Sequence, residues 1–337
     1  MDTKSKELLK SYLEWPSYAK RHLEKALELK VEGDYDFIVI CGMGGSGIVG
    51  DYVKAISETY GQKPVYVVKS FKLPSWVDAN SLVITVSYSG NTLETLHCFK
   101  DAVRRGTGLI AVTSGGKLAE EAKKKKISIV EVEKGVAARA VFPSLLYSVL
   151  TLLSENKMLG LTIDELQRSI ELMNTVVEDW EPRVLKLVDR IYGKIPILLS
   201  CCEYYPLALR LKNEFNENAK VQCKAESLPE WGHNDIEGWG HALAAKEHVI
   251  IAIDPGNGIA SRIINKAIKI LSEITSIAVV PFSLEGRTLL DKLMYGTLVG
   301  GLTSILYGER RGVNILETKF IEAYRKELED ILRPEGG

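Results

Sequence analysis

The stretch FIVICGMGGSGIVGDY, residues 37–52, decides how the rest of the chain is read. An apolar run, Phe37-Ile38-Val39-Ile40, leads into glycines at 42, 44 and 47 and then into a segment of helical character. These glycines fit G-x-G-x-x-G, a strand–turn–helix signature in which glycine permits the tight turn and the helix N-terminus offers free N–H groups to a phosphate. That chemistry suits any phosphate. The motif names a fold before it names a ligand.

Further short apolar runs follow at 65–68 (VYVV), 82–86 (LVITV), 109–113 (LIAVT) and 127–132 (ISIVEV), separated by helical segments. Near-continuous apolar strands alternating with helices predict a parallel sheet covered on both faces. Residues 4–30 alternate charged and apolar positions at helical spacing, and Lys123–Lys126 reads as a solvated helix end. The pattern turns helical from 143 to 190, and a second series follows: IPILLS (195–200), VIIAID (249–254) and IAVVPF (277–282), with helices around 205–218, 258–273 and 287–307. The expected architecture is two doubly wound α/β domains, 1–155 with the phosphate loops and 156–337 without them, an internal duplication.

Bulk properties exclude several classes. The 337 residues carry a formal charge of −1, so no basic surplus drives nucleic-acid binding. No run approaches a membrane span, and the charged N-terminus lacks an apolar signal core, which predicts a cytoplasmic protein. Scarce Gln with abundant Lys and Glu hints at a thermophilic source. The five cysteines (41, 98, 201, 202 and 223) form no C-x-x-C and read mostly as core thiols.

An NAD-type domain needs an acid near the end of its second strand, but Lys69 and Lys72 stand there; NADP is compatible with a basic residue at that place. The third strand is more informative. In LVITVSYSGNTLET, Ser87, Ser89 and Thr92 crowd one strand-to-helix turn, while Gly45 and Ser46 add the first loop's backbone and a fourth hydroxyl. Hydroxyls and free helix N–H groups make an uncharged cage for a phosphate dianion. If the strand order reverses between the two loops, they flank one crevice. The anion is then a terminal phosphate on a small molecule.

GMGGSG together with SYSGNT resembles the sugar isomerase (SIS) domain. GVAARA (135–140), KNEFNENAK (212–220), LPEWGHNDIEGW (228–239) and ERRGVNILETKFIEAYRKEL (309–328) extend the similarity, in order, to the archaeal bifunctional phosphoglucose/phosphomannose isomerases. That resemblance implies a cofactor-free, metal-independent aldose–ketose isomerase of hexose 6-phosphates, acting through a cis-enediol(ate) and built as a homodimer.

The resemblance assigns proton transfer to Glu217, with Glu214 on the same stripe if the helix persists, a potential salt-bridge partner. His233 would open the ring, from across the dimer interface. Arg139 would stabilise the enediolate or, alternatively, bind the phosphate. Thr318 matches a Thr thought to leave room for both C2 epimers. Family members carry a Lys where this chain has Arg325; either Arg325 only orients the ring oxygen, or a small helix shift brings Lys326 in. A metal set of His233, Glu237 and His241 is disfavoured by Gly238 and Gly240, which oppose a continuous helix. Alternatives are an isomerase of another phosphosugar, a non-catalytic sugar-phosphate sensor, which needs none of Glu217, His233 and Arg139, and an NAD(P) enzyme.

Overall fold

The computed structural model describes residues 3–240 and 245–332. Helices α1 (Thr3–Leu13) and α2 (Trp15–Ala26) precede β1 (Phe37–Cys41), α3 (Gly44–Tyr60), β2 (Val65–Val68), β3 (Ser81–Ser87), α4 (Leu93–Arg105), β4 (Gly108–Thr113), α5 (Gly116–Lys125) and β5 (Ser128–Glu131). Helices α6 (Phe142–Glu155), α7 (Ile163–Glu178) and α8 (Trp180–Ile191) lead to β6 (Ile195–Cys201), α9 (Tyr205–Glu214), β7 (Lys224–Leu228) and α10 (Asp235–Trp239). The described chain ends with β8 (His248–Asp254), α11 (Gly258–Ile274), β9 (Ala278–Ser283), α12 (Leu289–Arg310) and α13 (Lys319–Leu332).

Two separate sheets form, β2-β1-β3-β4-β5 and β7-β6-β8-β9, and every strand pair is parallel. In β1 the period-two alternation separates two cores. Ile38 and Ile40 pack with Ile48, Val49 and Tyr52 of α3, while Val39 and Cys41 face Phe99 of α4 and Leu118 of α5. A strand buried on both faces must be apolar throughout, which is why FIVIC shows no polar alternation. The lysine run does end a helix: α5 stops at Lys125, with Lys124 paired to Glu121 at 2.9 Å.

The order β2-β1-β3 puts the reversal between β1 and β3. The loops after these two strands therefore flank one crevice at the carboxyl edge of the sheet, which meets the condition set from the sequence. Glycine is obligatory there for space. A Cβ on Gly47 would lie 2.7 Å from the Gly42 carbonyl oxygen, and one on Gly90, at φ +66°, 1.8 Å from that of Gly115.

One strand escaped the sequence pattern. Strand β7, KAESL, lies at the edge of the second sheet and is mostly half-exposed, so it lacks the apolar run that marks its neighbours. The two halves are bonded through buried side chains: Tyr12 Oη of α1 donates to Glu214 Oε2 at 2.5 Å, and Tyr52 Oη meets Thr297 Oγ1 at 2.6 Å. Among the described residues, no helix is long and apolar enough to cross a membrane.

Candidate active site

The two loops at the switch point meet through hydroxyls. Ser46 Oγ accepts from the Tyr88 N–H at 3.2 Å, Ser87 Oγ donates to Thr92 Oγ1 at 3.0 Å, and Ser89 Oγ accepts from the Asn91 N–H at 3.2 Å. Thr92 is the N-cap of α4, yet its side chain makes no capping bond, so it leaves the first N–H groups of α4 uncapped. Gly45 lies in the first turn of α3, whose N-cap Met43 likewise makes no side-chain cap. Ser46, Ser87, Ser89 and Thr92 thus stand on two adjoining loops, with Gly45 beside Ser46. Lys69, the candidate for a 2′-phosphate, is ion-paired to Asp51 at 2.5 Å.

Arg139 enters from the other side. Its segment is held at several points: Tyr88 Oη, in the third-strand loop, both donates to the Gly135 carbonyl and accepts from its N–H at 2.8 Å. Trp15 Nε1 donates to the Ala140 carbonyl at 2.8 Å, and the His22 ring bonds Glu133 just upstream. The Arg139 side chain is 6% exposed. It donates from Nε to Asn218 Oδ1 at 2.6 Å, from one terminal nitrogen to the Ile315 carbonyl at 2.8 Å, and from the other to Glu217 Oε2 at 3.1 Å. A planar fork with three fixed partners has one orientation.

Glu217 lies on a π turn, Phe215–Ala219, that continues α9. Such single-turn bulges re-aim side chains and recur at functional sites. Here the π turn separates two acids expected on one stripe. The Glu217 side chain is 27% exposed, whereas that of Glu214 is 1% exposed and ion-paired to Arg210, four residues earlier, equally buried. Glu214 is a salt-bridge partner, of Arg210 and not of the outer cluster. Lys220, just after the turn, donates to the Glu217 carbonyl and, at 2.7 Å, to the Glu317 carbonyl, pinning the turn to the 313–318 loop. Burial, with the Arg139 guanidinium beside it, holds the Lys220 ammonium below its usual range.

Behind this surface runs a buried polar network that the sequence reading did not find. Glu214 Oε2 accepts from Tyr12 Oη and from Asn218 Nδ2 at 2.8 Å, and Asn218 Nδ2 also donates to Ser304 Oγ at 2.9 Å. Arg210 donates to the Arg139 carbonyl at 2.9 Å, and its guanidinium stacks 4.4 Å from the centre of the Phe142 ring. The same guanidinium comes within 3.5 Å of the position a Cβ would take on Gly45, which joins network to cage. Burial pushes the Glu214 carboxyl above the usual carboxylate range, against the pull of Arg210. A signal for this was present in LALRLKNEF: Arg210 and Glu214 fall at i+3 and i+7 of the apolar stripe Leu207, Leu211, Phe215, the positions a buried helix face occupies.

Other candidates stand apart from this cluster. His233 is exposed at the end of the short turn Glu230–His233, whose Trp231 is buried. Thr318 immediately precedes α13 and donates to Glu322 Oε1 at 2.8 Å. Arg325 and Lys326 are exposed on α13, which also shows Phe320 at 81% and Tyr324 at 63% exposure. No described hydrogen bond or ion pair links His233 or Arg325 to Glu217. Among the described residues no three His, Cys, Asp or Glu side chains converge on a common point, and His241 lies outside them.

A parallel sheet with a hydroxyl cage at its switch point, followed by a second parallel sheet without one, defines a sugar isomerase (SIS) protein. Residues 35–154 match the SIS domain family, and residues 183–328 match the bacterial phospho-glucose isomerase C-terminal SIS domain. Over 302 residues the chain is 35% identical to the bifunctional phosphoglucose/phosphomannose isomerase of Aquifex aeolicus, spanning 87% of this chain and 91% of that one. The protein of the same description from Aeropyrum pernix is 33% identical over 334 residues, spanning 96% of this chain and 99% of its own. The fold superposes with a TM-score of 0.77 on a hypothetical protein from Thermus thermophilus, at 15% identity, over 98% of this chain and 94% of that one. The chain belongs to the bifunctional phosphoglucose/phosphomannose isomerase family.

Proposed function

We propose that the protein interconverts glucose 6-phosphate, fructose 6-phosphate and mannose 6-phosphate without a metal, by proton transfer through a cis-enediolate. The observation that carries this reading is the Arg139–Glu217 pair: a part-exposed carboxylate held at 3.1 Å by a guanidinium that is itself buried and fixed. Glu217 takes the C2 proton of the aldose and returns it to C1. Arg139 stabilises the charge that develops on O1 and O2, with three of its five N–H donors already committed to described residues. The phosphate is held by Ser46, Ser87, Ser89, Thr92 and the Gly45 backbone, at a helix N-terminus suited to an anion.

His233, as the ring-opening acid and base, is supplied by the second subunit of a homodimer. Its exposure, and that of α13, support this: both surfaces are open in one chain and complete a site when a second chain covers them. Arg325 then orients the ring oxygen, since guanidinium does not give up a proton near neutrality. Thr318 leaves space at C2 for either epimer. The division near residue 155 between a phosphate-holding and a base-bearing half fits the same reading.

The test is to incubate purified protein with fructose 6-phosphate and excess EDTA. Both aldose phosphates are expected at the rate seen without chelator. Loss of activity that zinc restores, or formation of one aldose only, contradicts the proposal. For the cage, Ser87→Ala with Ser89→Ala is expected to raise KM for all three sugars by roughly 10²-fold, the low end for two lost hydrogen bonds to a charged group at roughly 1.5–3 kcal/mol each, partly compensated by the remaining donors. Some loss of kcat accompanies it, because binding energy at the phosphate is used at the reacting carbons. Unchanged KM removes these serines from the phosphate site.

A further inference from the structure

Cys201 closes β6 and Cys202 opens the turn into α9, and their Sγ atoms lie 3.1 Å apart. In a continuing strand, successive side chains point to opposite faces. Here Cys201 is extended, at φ −137°, but Cys202 takes φ +53°, a left-handed conformation unusual for a residue with a side chain. That conformation turns the two thiols towards each other. Cys201 is buried and Cys202 is exposed, in a groove of about 540 Å³ whose walls include Asp51, Lys54, Glu58 and Tyr205. The expectation that most cysteines are core thiols holds, with four buried and Cys202 the exposed exception. Nothing in the isomerase chemistry uses either sulfur.

We propose that Cys201 and Cys202 are a redox-active dithiol that small organic disulfides oxidise to a vicinal disulfide. The exposed Cys202 thiolate attacks one sulfur of the reagent, forming a mixed disulfide and expelling one thiolate. Cys201 Sγ then attacks Cys202 Sγ, expelling the second thiolate, which takes up the Cys201 proton. Two protein thiols are oxidised and one disulfide is reduced to two thiols. Burial, with the neighbouring Cys202 thiol, pushes the Cys201 thiol up to about 12, so it closes the ring and does not intercept reagent first. The trans peptide between them fixes their Cα atoms about 3.8 Å apart, shorter than the roughly 4.4–6.8 Å of ordinary disulfides. A bridge so constrained is readily reduced, which makes it a reversible site and not a staple.

The experiment treats reduced full-length protein with a sub-stoichiometric amount of the aromatic disulfide DTNB. Each equivalent of reagent is expected to release two equivalents of aryl thiolate, while the protein loses two hydrogens in mass and carries no aryl group. Peptide mapping places the loss at Cys201–Cys202, and dithiothreitol reverses it. Cys201→Ser instead keeps a stable aryl adduct on Cys202, and Cys202→Ser shows no rapid reaction. Should wild-type protein keep the aryl adduct, release one thiolate per reagent, fail to react, or lose its hydrogens at Cys41, Cys98 or Cys223, the dithiol assignment is overturned.

Discussion

Glu217→Gln is expected to lower kcat by roughly 10³-fold while KM for fructose 6-phosphate moves by less than about threefold, because a positioned base is removed and little else. The substitution keeps shape and leaves an amide oxygen to accept from Arg139, so the fork that the guanidinium makes with Asn218 and Ile315 stays in place. The side chain is part-exposed on the π turn, so the buried network behind it is undisturbed. The contrast with Glu214 is informative. That carboxylate touches Tyr12, Asn218 and Arg210, and removing it leaves a buried guanidinium uncompensated, which costs about 3–5 kcal/mol of stability. A loss of activity at 214 therefore accompanies unfolding, whereas one at 217 does not. Turnover by Glu217→Gln within tenfold of wild type rejects Glu217 as the base.

The second large effect is a recovery. Mixed Glu217→Ala and His233→Ala proteins, each inactive alone, are expected to regain about a quarter of wild-type activity once subunits exchange. Under two-fold isologous assembly, random exchange makes about half the dimers hybrid, and each hybrid holds one site with both defects and one with neither. The physical motive is that His233 is exposed while Trp231 beside it is buried, so the turn is anchored yet presents its imidazole outward. If each chain supplies its own His233, every site keeps one defect and nothing returns. Verified exchange without recovery removes the shared site.

The parts of this architecture that were legible are those set by local chemistry. The glycines at 42 and 47, the apolar strands and the hydroxyl-rich third turn each demand one backbone arrangement, whereas the strand order that makes the switch point is set by tertiary pairing and was only a condition in the sequence. Strand β7 was illegible because an edge strand need not be apolar on both faces. The Arg210–Glu214 pair went unread for another reason: its i, i+4 spacing also fits a solvent-exposed helix pair, although both residues lie on the Leu207, Leu211, Phe215 stripe, where Tyr12 from α1 and Ser304 from α12 dock. The sequence placed Glu214 and Glu217 on one stripe; the π turn, which no local residue announces, leaves one buried and the other part-exposed beside Arg139.

The central claim is that Glu217 carries a proton between C1 and C2, and isotope exchange tests it most directly. Fructose 6-phosphate is incubated with wild-type protein in deuterated water until equilibrium, and the aldose phosphates are examined by NMR. Deuterium is expected at C2 of both glucose 6-phosphate and mannose 6-phosphate, since a carboxylate in a part-exposed site exchanges its proton with solvent over repeated turnovers. Aldoses formed with no deuterium at C2 after many turnovers would mean direct hydride transfer between the carbons, and would contradict that claim.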